Sequence, residues 1–172
     1  MIFIAKTSIK KGNMKLKVVF KKSKNFEINH NRVIKYLIIH YTGMKNQAAA
    51  IQRLQSRVAK VSCHYLISKK GKIYQLVEDQ NIAWHAGKSK WEKDINLNSK
   101  SIGIELVNRG DEIFPKDQIE ALLKLLNVLK RKYNINPKYV LGHEDIAPDR
   151  KKDPGPKFPW IKLNKLNLSK KR

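Results

Sequence analysis

The segment Val33–Tyr41, VIKYLIIHY, most restricts how this chain can fold. It is rich in β-branched and aromatic residues and is apolar at most positions, which reads as a strand buried at the centre of a sheet. It ends at Thr42-Gly43, so His40 lies near the strand's C-terminal end. A sheet with such a strand needs cover on its faces, and the rest of the chain supplies helical material for it.

Gln47–Val58 places Ala50, Ile51, Leu54 and Val58 on one helical face. Lys116–Tyr133 is the clearest helix, with Ile119, Leu122, Leu123, Leu126, Leu129 and Tyr133 as its stripe. Pro115 sits at its start, and Asn134 with Pro137 ends it. Cys63–Ser68 and Lys72–Leu76 read as strands joined by a hairpin turn at Lys69-Lys70-Gly71. Ser101–Val107 and Tyr139–Gly142 read as further short strands, and Leu16–Phe20 as a possible first one. Asn81–Lys100 has no clear period and reads as a long ordered loop, a kind that often carries function. Trp160–Leu168 reads as a closing amphipathic turn or helix. The expected fold class is α/β: one domain with a mixed central β-sheet flanked by helices.

Charge divides the 172-residue chain. Residues 1–24 hold eight Lys and no acid, and residues 162–172 hold four Lys and one Arg and no acid, so 13 of the 23 net positive charges sit at the two ends. The expected organisation is a basic, partly mobile N-terminal extension (1–24), a catalytic domain (25–163) and a basic C-terminal tail (164–172). Met14 is an alternative start. The Lys of the body are scattered rather than gathered on one helix face, and no nucleic-acid motif is present, so nucleic acid is not the expected partner. No apolar run reaches the roughly 18–20 residues needed to cross a bilayer. Met1–Ala5 and Leu16–Phe20 are shorter than the roughly 7–15 apolar residues of a secretory signal. The expected location is therefore the cytoplasm, with export or envelope association lacking a recognisable signal as the alternative. Cys63 is the one cysteine, which agrees with a reducing compartment.

The chemistry gathers around Gly142–Trp160, GHEDIAPDRKKDPGPKFPW, where Pro148, Pro154, Pro156 and Pro159 stiffen the backbone around a His, a Lys and an Asp. Five polar residues, His40, His64, Glu105, His143 and Asp153, sit in or beside apolar strands or on this loop. Burying ionisable groups unpartnered is costly, and one metal ion resolves several of those costs together. Two neutral imidazoles and a carboxylate make a three-ligand zinc site with an open fourth position. Zinc lowers the pKa of a water from 15.7 to about 7. Amide hydrolysis then needs a proton shuttle, a role that suits Glu105, and a cation facing the oxyanion, a role that suits Lys151. On an extended loop, Lys151 and Asp153 share the inward side while Arg150 and Lys152 point out. No His-Glu-x-x-His is present. Cys63 and His64 are adjacent on a strand and point to opposite faces, which argues against a Cys–His nucleophile.

Five ordered blocks carry a resemblance: LIIHYTG (37–43), VSCHYLISKKGKIYQLV (61–77), AWHAG (83–87), SIGIEL (101–106) and GHEDIAPDRKKDPGPKFPW (142–160). Over roughly residues 33–163 the chain resembles the zinc N-acetylmuramoyl-L-alanine amidases of the amidase-2 class, which share a fold with the peptidoglycan-recognition proteins. Within that class it is most similar to the AmpD-type cytoplasmic enzymes of cell-wall recycling. The resemblance implies Zn2+ held by His40, His143 and Asp153, with Glu105 as acid/base and Lys151 stabilising the transition state. It implies hydrolysis of the amide between N-acetylmuramic acid, in its 1,6-anhydro form, and L-alanine of the stem peptide, with muropeptides as partners. Polymeric peptidoglycan as substrate, and a non-cutting peptidoglycan-binding module, are the alternatives. The basic ends and Tyr41, directly after His40, depart from the family pattern.

Tyr41, His64 and His85 are candidate substrate-binding residues. His64 is otherwise a structural histidine of its strand, and His85 a residue that holds the long loop in place. Trp84 reads as packing and His30 as a solvated loop histidine. Oligomeric state is not legible.

Overall fold

The alternation of apolar runs with amphipathic stretches is realised in a computed structural model that describes residues 16–29 and 31–170. The basic extension before Leu16, the alternative start at Met14 and His30 lie outside the described residues. The elements run in order β1 (Val18–Phe20), β2 (Phe26–Glu27), β3 (Tyr36–Tyr41), α1 (Gln47–Gln55), β4 (Tyr65–Ile67), β5 (Ile73–Gln75), β6 (Ile82–Ala83), β7 (Lys90–Trp91), β8 (Asp94–Ile95), β9 (Ser101–Leu106), α2 (Lys116–Tyr133), β10 (Val140–Gly142), α3 (His143–Ile146) and α4 (Trp160–Lys165). Short 3-10 turns at Leu97–Lys100 and Pro137–Tyr139 lead into β9 and β10.

Among the described residues, six strands form one mixed sheet in the order β1-β5-β4-β9-β3-β10. Only β4 and β5 run antiparallel; every other neighbouring pair is parallel. The central β3 pairs with β9 on one side and β10 on the other, and five of its six residues are buried. Alternation along the strands divides the core in two. Leu37, Ile39, Ile102, Ile104 and Leu106 face α2 and α4, meeting Ile119, Leu122, Leu126, Leu129, Trp160 and Leu163. The opposite face is covered by α1 through Ala50 and Leu54, and by Ala86 and Leu97 of the long 81–100 segment. Gln118 pins α2 to the sheet, donating from Nε2 to the carbonyls of Ile67 at 2.9 Å and Val107 at 3.1 Å.

Boundaries differ from the sequence pattern where neighbours are missing. β3 starts at Tyr36 rather than Val33, because its partner β9 starts at Ser101, in register with Tyr36; Val33 is 78% exposed. α1 ends at Gln55, not Val58. Ser56 leaves the helix in an extended conformation and its carbonyl accepts from Asn25 Nδ2 at 2.8 Å, which draws the chain away and leaves Val58 in solvent. Leu125 of α2, outside the expected stripe, is fully buried, whereas Leu123 is only partly so. At the C-terminus the packed core runs on to Leu168 and Ser169. No helix among the described residues is long and apolar enough to cross a membrane.

Candidate metal centre and catalytic cleft

The carboxyl ends of three adjacent parallel strands converge on one place, the usual position of a site in a sheet of this kind. His40 is the fifth residue of β3, and Glu105 lies directly opposite it on β9. β10 aligns Gly142 with Ile39, so the next residue, His143, enters the site as the first residue of α3. Asp153 arrives on the Pro-rich loop. The Glu144 amide donates to the Asp153 carbonyl at 2.8 Å, tying that loop to the start of α3. Gly142 permits the approach: a Cβ there would lie 2.6 Å from Pro154 Cδ.

His40, His143 and Asp153 are buried and bring three ligand atoms together. His40 Nδ1 lies 3.0 Å from His143 Nδ1 and 2.9 Å from Asp153 Oδ2, and His143 Nδ1 lies 3.1 Å from the same oxygen. Tetrahedral coordination at about 2.0–2.2 Å spaces ligand atoms roughly 3.3–3.6 Å apart, so a small outward shift seats an ion. The donor set fits one. His143 Nε2 is 3.1 Å from the Ala86 carbonyl, which only accepts. That nitrogen therefore carries the proton, and the Nδ1 lone pair faces the cluster. Burial, together with the neighbouring His143, lowers the pKa of His40 to about 4 despite the pull of Asp153, so the ring is neutral at pH 7. Burial alone would raise the Asp153 carboxyl, but the close approach of His143 and His40 outweighs it and holds the group well below the usual carboxylate range. Two imidazoles and a carboxylate form a donor set compatible with an open catalytic metal site.

The cluster opens into a cleft of about 450 Å3 that also receives Glu105, Lys151, Tyr41 and His85. Glu105 Oε2 is buried and has no hydrogen-bond partner among the described residues. Burial, reinforced by the Asp153 charge and only partly offset by Lys151, raises its pKa to about 8. Such a carboxyl is poised to take and return a proton near neutral pH. Lys151 is half-buried on the cleft wall and Lys152 is exposed. Arg150 is drawn away from the reacting centre. Its Nε donates to the Lys88 carbonyl at 3.0 Å and its Nη2 to the carbonyls of Ala86 and Lys88. It clamps the Pro-rich loop onto the 84–88 segment.

The three candidate substrate contacts part company. Tyr41 and His85 line the cleft. His64 is fully buried and does not line it. Its Nδ1 accepts from the Gly103 amide at 3.0 Å, and its Nε2 faces the Asn81 carbonyl at 3.0 Å. Trp84 reaches Glu27 through Nε1 at 3.0 Å and borders the cleft. Cys63 is fully buried, and burial with the nearby Glu105 charge pushes its thiol well up, which disqualifies it as a nucleophile. Sequence reasoning passed over Ser101, which lies within hydrogen-bond reach of His85, and Asn98, whose Oδ1 accepts from the amides of His85 at 3.1 Å and Ala86 at 2.7 Å. For Ser101 a signal existed: it precedes Glu105 by four residues on one strand and so shares its face.

The chain is similar to known proteins in sequence and in fold. The chain is 42% identical over 146 residues to the N-acetylmuramoyl-L-alanine amidase AmiD of Escherichia coli K12, covering 76% of this chain and 52% of that protein. It is 40% identical over 107 residues to the 1,6-anhydro-N-acetylmuramyl-L-alanine amidase AmpD of the same organism, covering 62% of this chain and 58% of that one. The chain thus spans between half and three fifths of the length of these curated relatives. Among solved structures, E. coli AmiD in complex with anhydro-N-acetylmuramic acid-L-Ala-D-gamma-Glu-L-Lys superposes with a TM-score of 0.76 at 36% identity, covering 86% of this chain and 68% of that one. An AmpD structure superposes with a TM-score of 0.77 at 27% identity, covering 88% and 93%. Residues 30–156, most of the chain, match the family model described as N-acetylmuramoyl-L-alanine amidase (Amidase_2), and the chain belongs to that family.

Proposed function

We propose that this protein is a zinc-dependent N-acetylmuramoyl-L-alanine amidase. It hydrolyses the amide between anhydro-N-acetylmuramic acid and L-alanine of peptidoglycan stem peptides. The observation that carries the reading is the union of His40, His143 and Asp153 with a protonatable Glu105 in one cleft.

His40, His143 and Asp153 hold the ion, and zinc, when bound, supplies Lewis-acid activation at neutral pH. Partial burial in the cleft raises the proton affinity of Glu105, which accepts a proton from the attacking water. Glu105 then returns that proton to the leaving alanine nitrogen. Lys151 brings a positive charge to the same cleft and faces the oxygen of the lactyl carbonyl as negative charge develops there. Arg53, Arg150, Lys151 and Lys152 make the cleft wall basic, which favours a stem peptide bearing several carboxylates. Two amidases that this chain resembles are named or were solved with anhydro-muramyl compounds, which supports the anhydro sugar. We place the reaction in the cytoplasm, as part of wall recycling, consistent with a single, reduced cysteine.

The test is incubation of zinc-loaded protein with anhydro-muropeptides and, side by side, with intact sacculi, with mass spectrometry of the products. The expected result is release of free stem peptide from the anhydro-muropeptides, abolished by chelation and restored by Zn2+. Release from sacculi alone would move the substrate to polymeric wall, and binding without cleavage would make the protein a recognition module. Cell fractionation tests the location.

A further inference from the structure

We infer that His85 is a positioning residue for the metal: through a relay ending at the Leu97 carbonyl, it fixes which nitrogen of His40 faces the ion. The inference rests on the metal reading of the His40, His143 and Asp153 cluster.

The relay is deduced backwards from an atom that can only accept. Ser101 Oγ lies 2.6 Å from the Leu97 carbonyl, so its one proton points there. His85 Nε2 lies 3.1 Å from the same Oγ, which is left with only lone pairs on offer, so Nε2 donates. His85 is partly buried on the cleft wall and packs edge to face against the rings of His40 and His64, with centroids 5.1 and 5.7 Å away. With the proton on Nε2, Nδ1 is an acceptor. His40 Nε2, 3.0 Å away, therefore donates to it, and the His40 Nδ1 lone pair turns toward His143 and Asp153. A single proton order satisfies every contact from Leu97 to the cluster.

The surroundings are shaped to hold this ring. The rings of His40 and His85 meet edge to face, with centroids 5.1 Å apart and planes at 78°. A Cβ at Gly103 would lie 2.3 Å from His85 Cγ, so only glycine lets the imidazole lie against β9. Alternate residues of that strand thus serve one site: Ser101 anchors the relay, Gly103 makes room for it and Glu105 faces His40. The segment that carries His85 also offers the Ala86 carbonyl to His143 Nε2. Asn98 Oδ1 holds both its amides, and Arg150 holds the Ala86 carbonyl from the other side. One short segment therefore orients both imidazole ligands, the outer-shell support that typically changes metal affinity 10–100-fold when removed.

The test is zinc affinity measured by chelator competition on the full chain, for the wild type and for His85→Ala, His85→Gln and Ser101→Ala, with the melting temperature of each metal-free protein. Glutamine keeps an acceptor and a donor on one planar group. His85→Ala is expected to weaken zinc binding about 10–100-fold, and His85→Gln to recover most of that loss. Ser101→Ala is expected to weaken binding by a smaller factor while folding normally, which keeps the test open if His85→Ala does not fold. Wild-type affinity in His85→Ala or Ser101→Ala overturns the inference, as does a folded His85→Gln no better than alanine. A wild type that binds no zinc defeats the metal reading itself, a different result from equal binding by wild type and variants.

Discussion

His40 and Glu105 sit directly opposite each other on neighbouring parallel strands, one presenting an imidazole to His143 and Asp153 and the other a carboxyl whose Oε2 is buried without a hydrogen-bond partner among the described residues. The sheet register places a candidate ligand beside a candidate base without any help from a loop. A one-residue slip between β3 and β9 would turn Glu105 into the α2 core.

From this pairing, Glu105→Gln is expected to bind zinc as the wild type does and to lose about 10²–10⁴-fold in kcat. Metal analysis and turnover on the same preparation check it. Wild-type turnover would remove Glu105 from the proton shuttle.

Lys151→Met tests the second catalytic group. Its loss is expected to lower kcat by about 10²–10³-fold, the cost of removing one donor to a developing oxyanion, with zinc content unchanged. The contrast is Arg150→Met, whose side chain holds the 84–88 segment. That change is expected to weaken metal retention as well. If the two variants behave alike, the division of labour between these neighbours is wrong.

Asp153→Ala removes the carboxylate that approaches both imidazoles at 2.9 and 3.1 Å. Zinc content after dialysis is expected to fall well below one equivalent. Full retention would strike Asp153 from the ligands.

The metal-free protein is expected to show a stability optimum near pH 6–7. Two opposed linkages set it. The Glu105 carboxyl rises from 4.5 to about 8 on folding, so its contribution is complete below about pH 4.5 and is lost as pH climbs toward 8. His40 and His64 drop from 6.5 to about 4, because burial disfavours their charged forms. The unfolded chain then binds more protons between pH 4 and 6.5, so stability is lost as pH falls through that range. Melting temperatures of the metal-free protein from pH 4 to 9 check both limbs. Glu105→Gln should flatten the alkaline limb; an unchanged limb would refute its assignment to Glu105.

Sequence alone determined the helix Lys116–Tyr133 to the residue and located the central strand, because both carry strong periodicity over enough positions to outweigh context. It also determined the ligand candidates. A histidine at the end of an apolar strand and an Asp on a Pro-rich loop are conspicuous, since each is costly to bury without a partner. Tertiary structure decided what each neighbour does. Lys151 and Arg150 are adjacent, cationic and both on the cleft wall, and only the carbonyls of Ala86 and Lys88, more than sixty residues earlier, engage the guanidinium of Arg150. His64 and His85 were alike as candidates. The Gly103 amide and Asn81 carbonyl bury the first as a structural group, while the Ser101 hydroxyl and His40 place the second beside the cluster. Those outcomes depend on hydrogen-bond partners distant in the chain, and a pattern of side chains along one strand carries no information about which carbonyl will lie across from it.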